Sequence, residues 1–166
     1  MDDVDRILEQ WRRERPDLDV APMGLIGRLS RLAAALRAAH EQVFEKHGLS
    51  AAGFDVLATL RRAGPPHALD IKSLLASTMV TSGTMTNRLD KLEKAGLLER
   101  RPNPEDGRGF IVALTDKGFD LIDVAVADHV ANQHRLVEGL RGGERTALTA
   151  LLKTWGKALE DRASDR

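Results

Sequence analysis

A mainly α-helical fold with one small β-hairpin is predicted for this 166-residue chain by three observations. Apolar residues recur at helical spacing through most of the sequence, from Val4 to Trp11, Leu25 to Val43, Phe54 to Leu60 and Leu148 to Leu159. Between Leu97 and Leu114 the pattern changes to two short runs separated by Pro102, Asn103, Pro104 and Gly107, as in a hairpin. The helix that leads into this hairpin has a polar start, an apolar stripe and a glycine stop. A helix followed at once by a hairpin is the layout of a winged helix-turn-helix, and the long helices at both ends are left over to form a dimerisation region.

The elements follow in order. Val4, Ile7, Leu8 and Trp11 predict a short amphipathic helix over about 3–15, stopped by Pro16. Residues 16–22 read as a linker. Leu25, Leu29, Leu32, Leu36 and Val43 mark a long helix over about 23–46, with Gly48 past its end. Ser50 is placed to cap the next helix, whose stripe is Phe54, Leu57 and Leu60, and Gly64-Pro65-Pro66 ends it. Asp70 is an N-cap for a short helix through Ser77. Thr81 caps the following helix, with Met85, Leu89 and Leu92 as its buried stripe and Gly96 at the left-handed stop. Leu97–Arg101 and Phe110–Leu114 are the strands of the wing. Thr115 caps a long helix to about Glu138, Gly142-Gly143 breaks the chain, and Leu148, Leu151, Leu152, Trp155 and Leu159 make the last amphipathic helix. The expected organisation is N-terminal helices over 1–48, a winged helix-turn-helix over 49–115 and C-terminal dimerisation helices over 116–166.

Composition narrows the function. With 42% apolar residues the chain can bury a sizeable core. Its formal net charge is zero, so affinity for nucleic acid cannot come from bulk charge. Between Thr81 and Phe110 there are six Lys/Arg against five Asp/Glu, so DNA binding would rest on placed residues, doubled by a dimer. The absence of cysteine excludes disulfides, Cys-based zinc sites and thiol redox sensing. The acidic N-terminus is no signal peptide, and no stretch approaches the ~20 apolar residues of a membrane span, so no membrane partner and a cytoplasmic location are expected. The histidines lack metal-ligand spacing: His129 and His134 stand five apart rather than four. No phosphate loop or nucleophile elbow occurs, and neither an enzyme activity nor a cofactor is expected.

On a wheel centred on Met85, Leu89 and Leu92 fall within about 40° of it, while Gly83, Thr86, Asn87, Asp90 and Lys94 face the other way. Asn87 can read adenine and Thr86 a base edge or thymine methyl. Ser82 and Thr84, in the first turn with Thr81, can take phosphate, and Gly83 lets the backbone approach. Lys91, Lys94 and Arg101 are candidate phosphate contacts. Asp106 and Gly107 can aim Arg108 from the hairpin tip into a minor groove. The candidate partner is therefore double-stranded DNA, contacted by two copies of the helix ~34–36 Å apart in a symmetric homodimer.

At Phe54-Asp55-Val56-Leu57, the Leu92–Arg100 run, Asp106-Gly107-Arg108 and Leu114-Thr115-Asp116-Lys117-Gly118, the chain resembles the MarR family of bacterial transcriptional regulators, over about Gly24 to Leu159. The resemblance implies a homodimer on a pseudo-palindromic operator, repressing and released by a small ligand. Many members have a second basic residue in the wing, whereas here Gly107 and Gly109 bracket Arg108, leaving it as the main wing contact.

The extra N-terminal helix with its Trp, the Arg15–Asp19 segment and the Gly27–Leu32 run are similar to the urate-responsive branch of that family. That likeness implies a ligand site at Trp11, Asp55, Arg88 and Arg100, with an anionic purine bridging the two arginines and competing with Asp55. Trp11 could stack on a flat heterocycle, and an arginine can chelate a planar anion through two parallel N–H bonds. Plainer roles stay open: Trp11 pinning its own helix, Arg88 as a phosphate contact, Asp55 as a surface carboxylate. A phenolic acid such as salicylate would suit a Trp and two Arg equally, and a ligand-insensitive DNA-binding protein is a further alternative.

Overall fold

The structure, a computed structural model, describes residues 1–78, 82–103 and 109–165, and of Ser82, Gly83 and Thr84 it describes the backbone. Element by element these residues run α1 (Asp3–Glu14), α2 (Ala21–Lys46), α3 (Ala51–Arg62), β1 (Ala68–Asp70), α4 (Ile71–Ser77), α5 (Ser82–Lys94), β2 (Leu98–Pro102), β3 (Phe110–Leu114), α6 (Asp116–Leu136) and α7 (Gly142–Ser164). The protein is mainly helical with a small antiparallel sheet. It divides into two compact units, Met1–His129 and Val130–Arg166. Among the described residues, no helix is long and apolar enough to cross a membrane.

In the first unit, the helix-turn-helix is built around one core. Val56, Leu57 and Leu60 of α3, Leu74 of α4, Met85, Leu89 and Leu92 of α5, and Val112 and Leu114 of β3 are buried together with Leu98 and Ile122. The stripes read at helical spacing on α3 and α5 are thus the faces that pack. Capping follows the sequence: Ser50 Oγ accepts the Gly53 N–H at 3.1 Å, and Thr115 Oγ1 accepts the Gly118 N–H at 3.0 Å.

Asp70 caps the short α4 by accepting the Ser73 N–H at 2.9 Å and the Ser73 hydroxyl at 2.6 Å. These hydrogen bonds, the hydroxyl's foremost, hold its carboxyl below the ordinary carboxylate range. Its stabilising contribution is therefore complete above that range and is lost as pH falls through the lowered value. Asp70→Ala is expected to cost about 1 kcal/mol of stability at neutral pH, with the difference from the parent shrinking in acid. Denaturant titrations at two pH values check this.

Two features depart from the sequence expectation. The wing is not a two-stranded hairpin, because β1, ahead of α4, completes a three-stranded sheet in the order β1-β3-β2. A run of only three residues after Gly-Pro-Pro-His carries too little alternation to show as a strand, and it exists because β3 offers its free edge, pairing Leu69 with Val112. The first wing strand also starts one residue late, at Leu98, because the Leu97 N–H still bonds back to the Leu92 carbonyl of α5 at 3.0 Å.

The boundaries of the long helices shift as well. Pro22 lies inside the first turn of α2, where its missing N–H has no helical partner to lose. Helix α6 ends at Leu136 rather than near Glu138, and turns at Val137–Leu140 make the break assigned to the glycine pair. Gly142 and Gly143 open α7 instead, where Glu144 Oε2 accepts the Arg141 N–H at 2.7 Å.

Helix α1 is fastened to α2 by both apolar and ionic contacts. Val4 and Leu8 are buried with Val20. Arg28 donates to Asp2 at 2.8 and 3.0 Å and to Asp5 at 2.5 Å, and Arg31 donates to Asp3 at 2.8 Å. Asp2 and Asp5 also cap one another's backbone at the start of α1. All three carboxyls are held below their ordinary range, Asp2 and Asp5 chiefly by these backbone N–H groups and Asp3 chiefly by Arg31.

Several large apolar side chains stay exposed. On α2 they are Met23, Leu25, Ile26, Leu29 and Leu32. In the second unit they include Leu148, Leu151, Leu152 and Leu159 of α7, a helix with no buried residue.

Candidate nucleic-acid interface and anion groove

Helix α5 presents two different faces. Met85, Leu89 and Leu92 anchor it in the core, and Thr86, Asn87, Lys91 and Lys94 are exposed. These four polar residues therefore stand on the solvent side. Thr81 and Arg108 lie outside the described residues. Arg101 is exposed on β2 and its Nε donates to Glu99 at 2.8 Å, so its charge is already partnered within the strand. Glu99 carries no signal in the sequence beyond being two residues away, on the same face of the strand.

The C-terminal end of α5 is sealed by the start of α6. Lys117 Nζ donates to the Ala95 carbonyl at 2.8 Å, and Thr115 Oγ1 donates to the Gly96 carbonyl at 2.7 Å. The Leu97 carbonyl accepts the Thr115 N–H at 3.3 Å. Gly118 lies against that same carbonyl: a Cβ there would stand 1.8 Å from the Leu97 oxygen. This contact ties the entry to the wing to α6, and a lone glycine in a helical pattern gives no sequence signal for it.

Of the four residues assigned to the ligand, Arg88 stands out. It is half-buried on α5, and its Nη1 is fully buried with no hydrogen-bond partner among the described residues. It lines a groove of about 480 Å³ with Gly48, Leu49 and Ser50, the first turn of α3, and Lys91. The groove thus brings together an arginine, a lysine and the amino end of a helix, three features that favour an anion.

Arg100 is placed differently. Its Nη2 donates to Asp90 at 2.6 Å, its Nη1 pairs with Glu93, and its backbone N–H donates to Glu93 Oε1 at 3.2 Å. The guanidinium also lies 5.5 Å from the centre of the Phe110 ring. Arg100 borders a separate cleft of about 660 Å³ with Thr86, Asn103 and Phe110. Arg88 and Arg100 therefore line different clefts. Trp11 is 41% exposed on α1, beside the buried Val4 and Leu8 rather than among them, and lines neither cleft. Asp55 is half-buried, and its carbonyl accepts the Thr59 hydroxyl at 2.7 Å.

Asp90 and Glu93 were not singled out by sequence. Their signal is an acidic pair three apart on a helix that runs straight into a strand bearing Arg. Among the histidines, His129 packs edge-on against His40, with ring centres 4.8 Å apart, and lies 5.0 Å from Phe54. Burial, and secondarily His40, push its pKa down. Among the described residues no group of three or more His, Asp or Glu could hold a metal ion.

Comparison with known proteins places this arrangement among regulators. The sequence model of the MarR family matches residues 49–110. The chain is 46% identical over 150 residues to the HTH-type transcriptional regulator PecS of Dickeya dadantii, covering 90% of each protein. It superimposes on a mutant MarR from Escherichia coli complexed with operator DNA with a TM-score of 0.69 and 26% identity, over 87% of this chain and 96% of that one. BpsR of Bordetella bronchiseptica, whose DNA binding is regulated by 6-hydroxynicotinic acid, matches with a TM-score of 0.69 and 27% identity, over 78% of this chain and 91% of its own.

Proposed function

Because this chain belongs to the MarR family of DNA-binding transcriptional regulators, and is not an enzyme, we propose that it is a homodimeric repressor released from its operator by a small anionic aromatic ligand such as urate. In this reading residues 49–115 carry the DNA contacts, with α5 in the major groove and the wing alongside, and 1–48 and 116–166 supply the dimer. The exposed leucines of α2 and α7 support a second copy, since unpaired apolar faces of that kind need cover. On DNA, Thr81, Ser82, Gly83, Thr84, Lys91 and Lys94 position the helix on phosphates, Arg101 exchanges Glu99 for phosphate from β2, Thr86 and Asn87 read bases, and Arg108 enters the minor groove.

The observation that carries the ligand reading is Arg88, whose buried Nη1 has no hydrogen-bond partner among the described residues and whose side chain lines a groove with Lys91. An isolated buried donor costs free energy, and an anion that accepts from it recovers that cost. Arg88 sits on α5 itself, so occupancy there acts directly on the helix that meets DNA. Asp55, Trp11 and Arg100 are the further ligand residues that the likeness to the urate-responsive branch implies, and Arg100 stands in a different cleft from Arg88. Arg88 and Lys91 suffice for the anion.

The test is an anisotropy titration, at fixed salt, on the DNA just upstream of the protein's own gene, with and without urate. Sequence-specific binding in the ~10⁻⁸–10⁻¹¹ M range is expected. Urate should weaken it by about 100-fold, which needs about 2.7 kcal/mol of coupling. Release by salicylate but not by urate would reassign the ligand to the phenolic acids. Tight binding that ignores both would remove the ligand reading and keep the regulator.

A further inference from the structure

We propose that Asp90 and Glu93 are specificity-determining residues for DNA binding, acting through Arg100, which they clasp between the recognition helix and the wing. Arg100 of β2 reaches back to two carboxylates one turn apart on α5, with contacts to Asp90 at 2.6 Å and to Glu93, and Phe110 of β3 lies beside the guanidinium. Its side chain is 23% exposed, against 47% for Asp90 and 37% for Glu93. The clasp is therefore partly withdrawn from water, and its arginine is held in place by two fixed acceptors and a ring rather than left to swing.

Two consequences follow for a surface that must meet a polyanion. The clasp fixes the distance between helix and wing, so that only DNA of one groove geometry satisfies both. It also keeps one guanidinium off the phosphates, withholding attraction that would be the same on any sequence. Carboxylates placed against DNA lower affinity by simple charge counting. Their value here is that they convert a free cation into a strut. The inference rests on the placement of α5 and the wing on DNA, and is independent of any ligand.

Charge counting and the clasp predict opposite signs, which makes the test decisive. In Asp90→Asn/Glu93→Gln, removal of two negative charges frees Arg100. Affinity for scrambled DNA is expected to rise about threefold, and affinity for the operator to fall by about tenfold, at equal salt. Glu93→Gln alone keeps an oxygen for the Arg100 N–H and should show the same signs at smaller size. Thermal unfolding within about two degrees of the parent would confirm that the fold is kept. If operator and scrambled affinities rise together, the carboxylates only repel DNA and the inference is wrong. It is equally overturned if neither affinity moves. If the parent itself shows no operator preference, the premise of α5 on DNA falls instead, which the parent titration alone reveals.

Discussion

Replacing Arg88 with alanine is expected to abolish the anion response while operator affinity stays within about threefold of the parent. Truncating one partner of a desolvated, charge-assisted hydrogen bond costs ~2–5 kcal/mol, so ligand affinity should fall by roughly 30-fold to several thousandfold. Among the described residues the Arg88 Nη1 has no hydrogen bond to lose in the unliganded fold, and thermal unfolding of the variant measures what its half-buried stem contributes. Arg88→Lys keeps the charge but not the planar fork, and should bind the anion with intermediate affinity. Calorimetry with urate and anisotropy with operator separate the two quantities. Were Arg88 a phosphate contact instead, operator affinity would drop with or without ligand, and the salt slope would shrink by about one. A full response retained in Arg88→Ala would sink the groove as the ligand site.

The second large effect is expected at Gly118. A Cβ there would stand 1.8 Å from the Leu97 oxygen and 2.8 Å from its carbonyl carbon, distances that only backbone movement can relieve. Overpacking against a fixed backbone costs ~1–3 kcal/mol or more, and Gly118→Ala should lie at the upper end. For a chain of this size that lowers Tm by about 6–12 °C. The movement falls on Leu97, which leads into β2, so operator affinity should fall in the same variant at temperatures where it remains folded. Thermal unfolding and anisotropy on one preparation check both. An unchanged Tm would show that the first turn of α6 yields easily.

The parts legible in the sequence were those with local periodicity or local chemistry. The stripes Phe54-Leu57-Leu60 and Met85-Leu89-Leu92 are the buried faces, and Ser50, Asp70 and Thr115 cap as their types predict. What stayed hidden depended on partners distant in sequence. β1 is a strand only because β3 pairs with it, the Arg100 clasp needs the turn after α5 to bring β2 back across the helix, and the Gly118 contact needs α6 to start against Leu97. The candidate ligand residues divide on the same line. The spacing of Arg88 from Met85 and Leu89 puts it beside the helix stripe, whereas nothing local to Arg100 reveals that two carboxylates already occupy it.

The sheet order β1-β3-β2 bears on how the protein is made. As the chain leaves the ribosome, α3, β1, α4, α5 and β2 all emerge before β3. The two earlier strands are not neighbours in the finished sheet, because the place between them belongs to the last. The segment that carries α5 is therefore held at both ends by a strand synthesised after it, and closing it depends on long-range pairing rather than on helix formation. Until Phe110–Leu114 is out, the inner edges of β1 and β2 are unpaired as well as their outer ones, the kind of surface on which nascent chains stick to one another. Every residue expected to touch DNA precedes the strand that makes it usable.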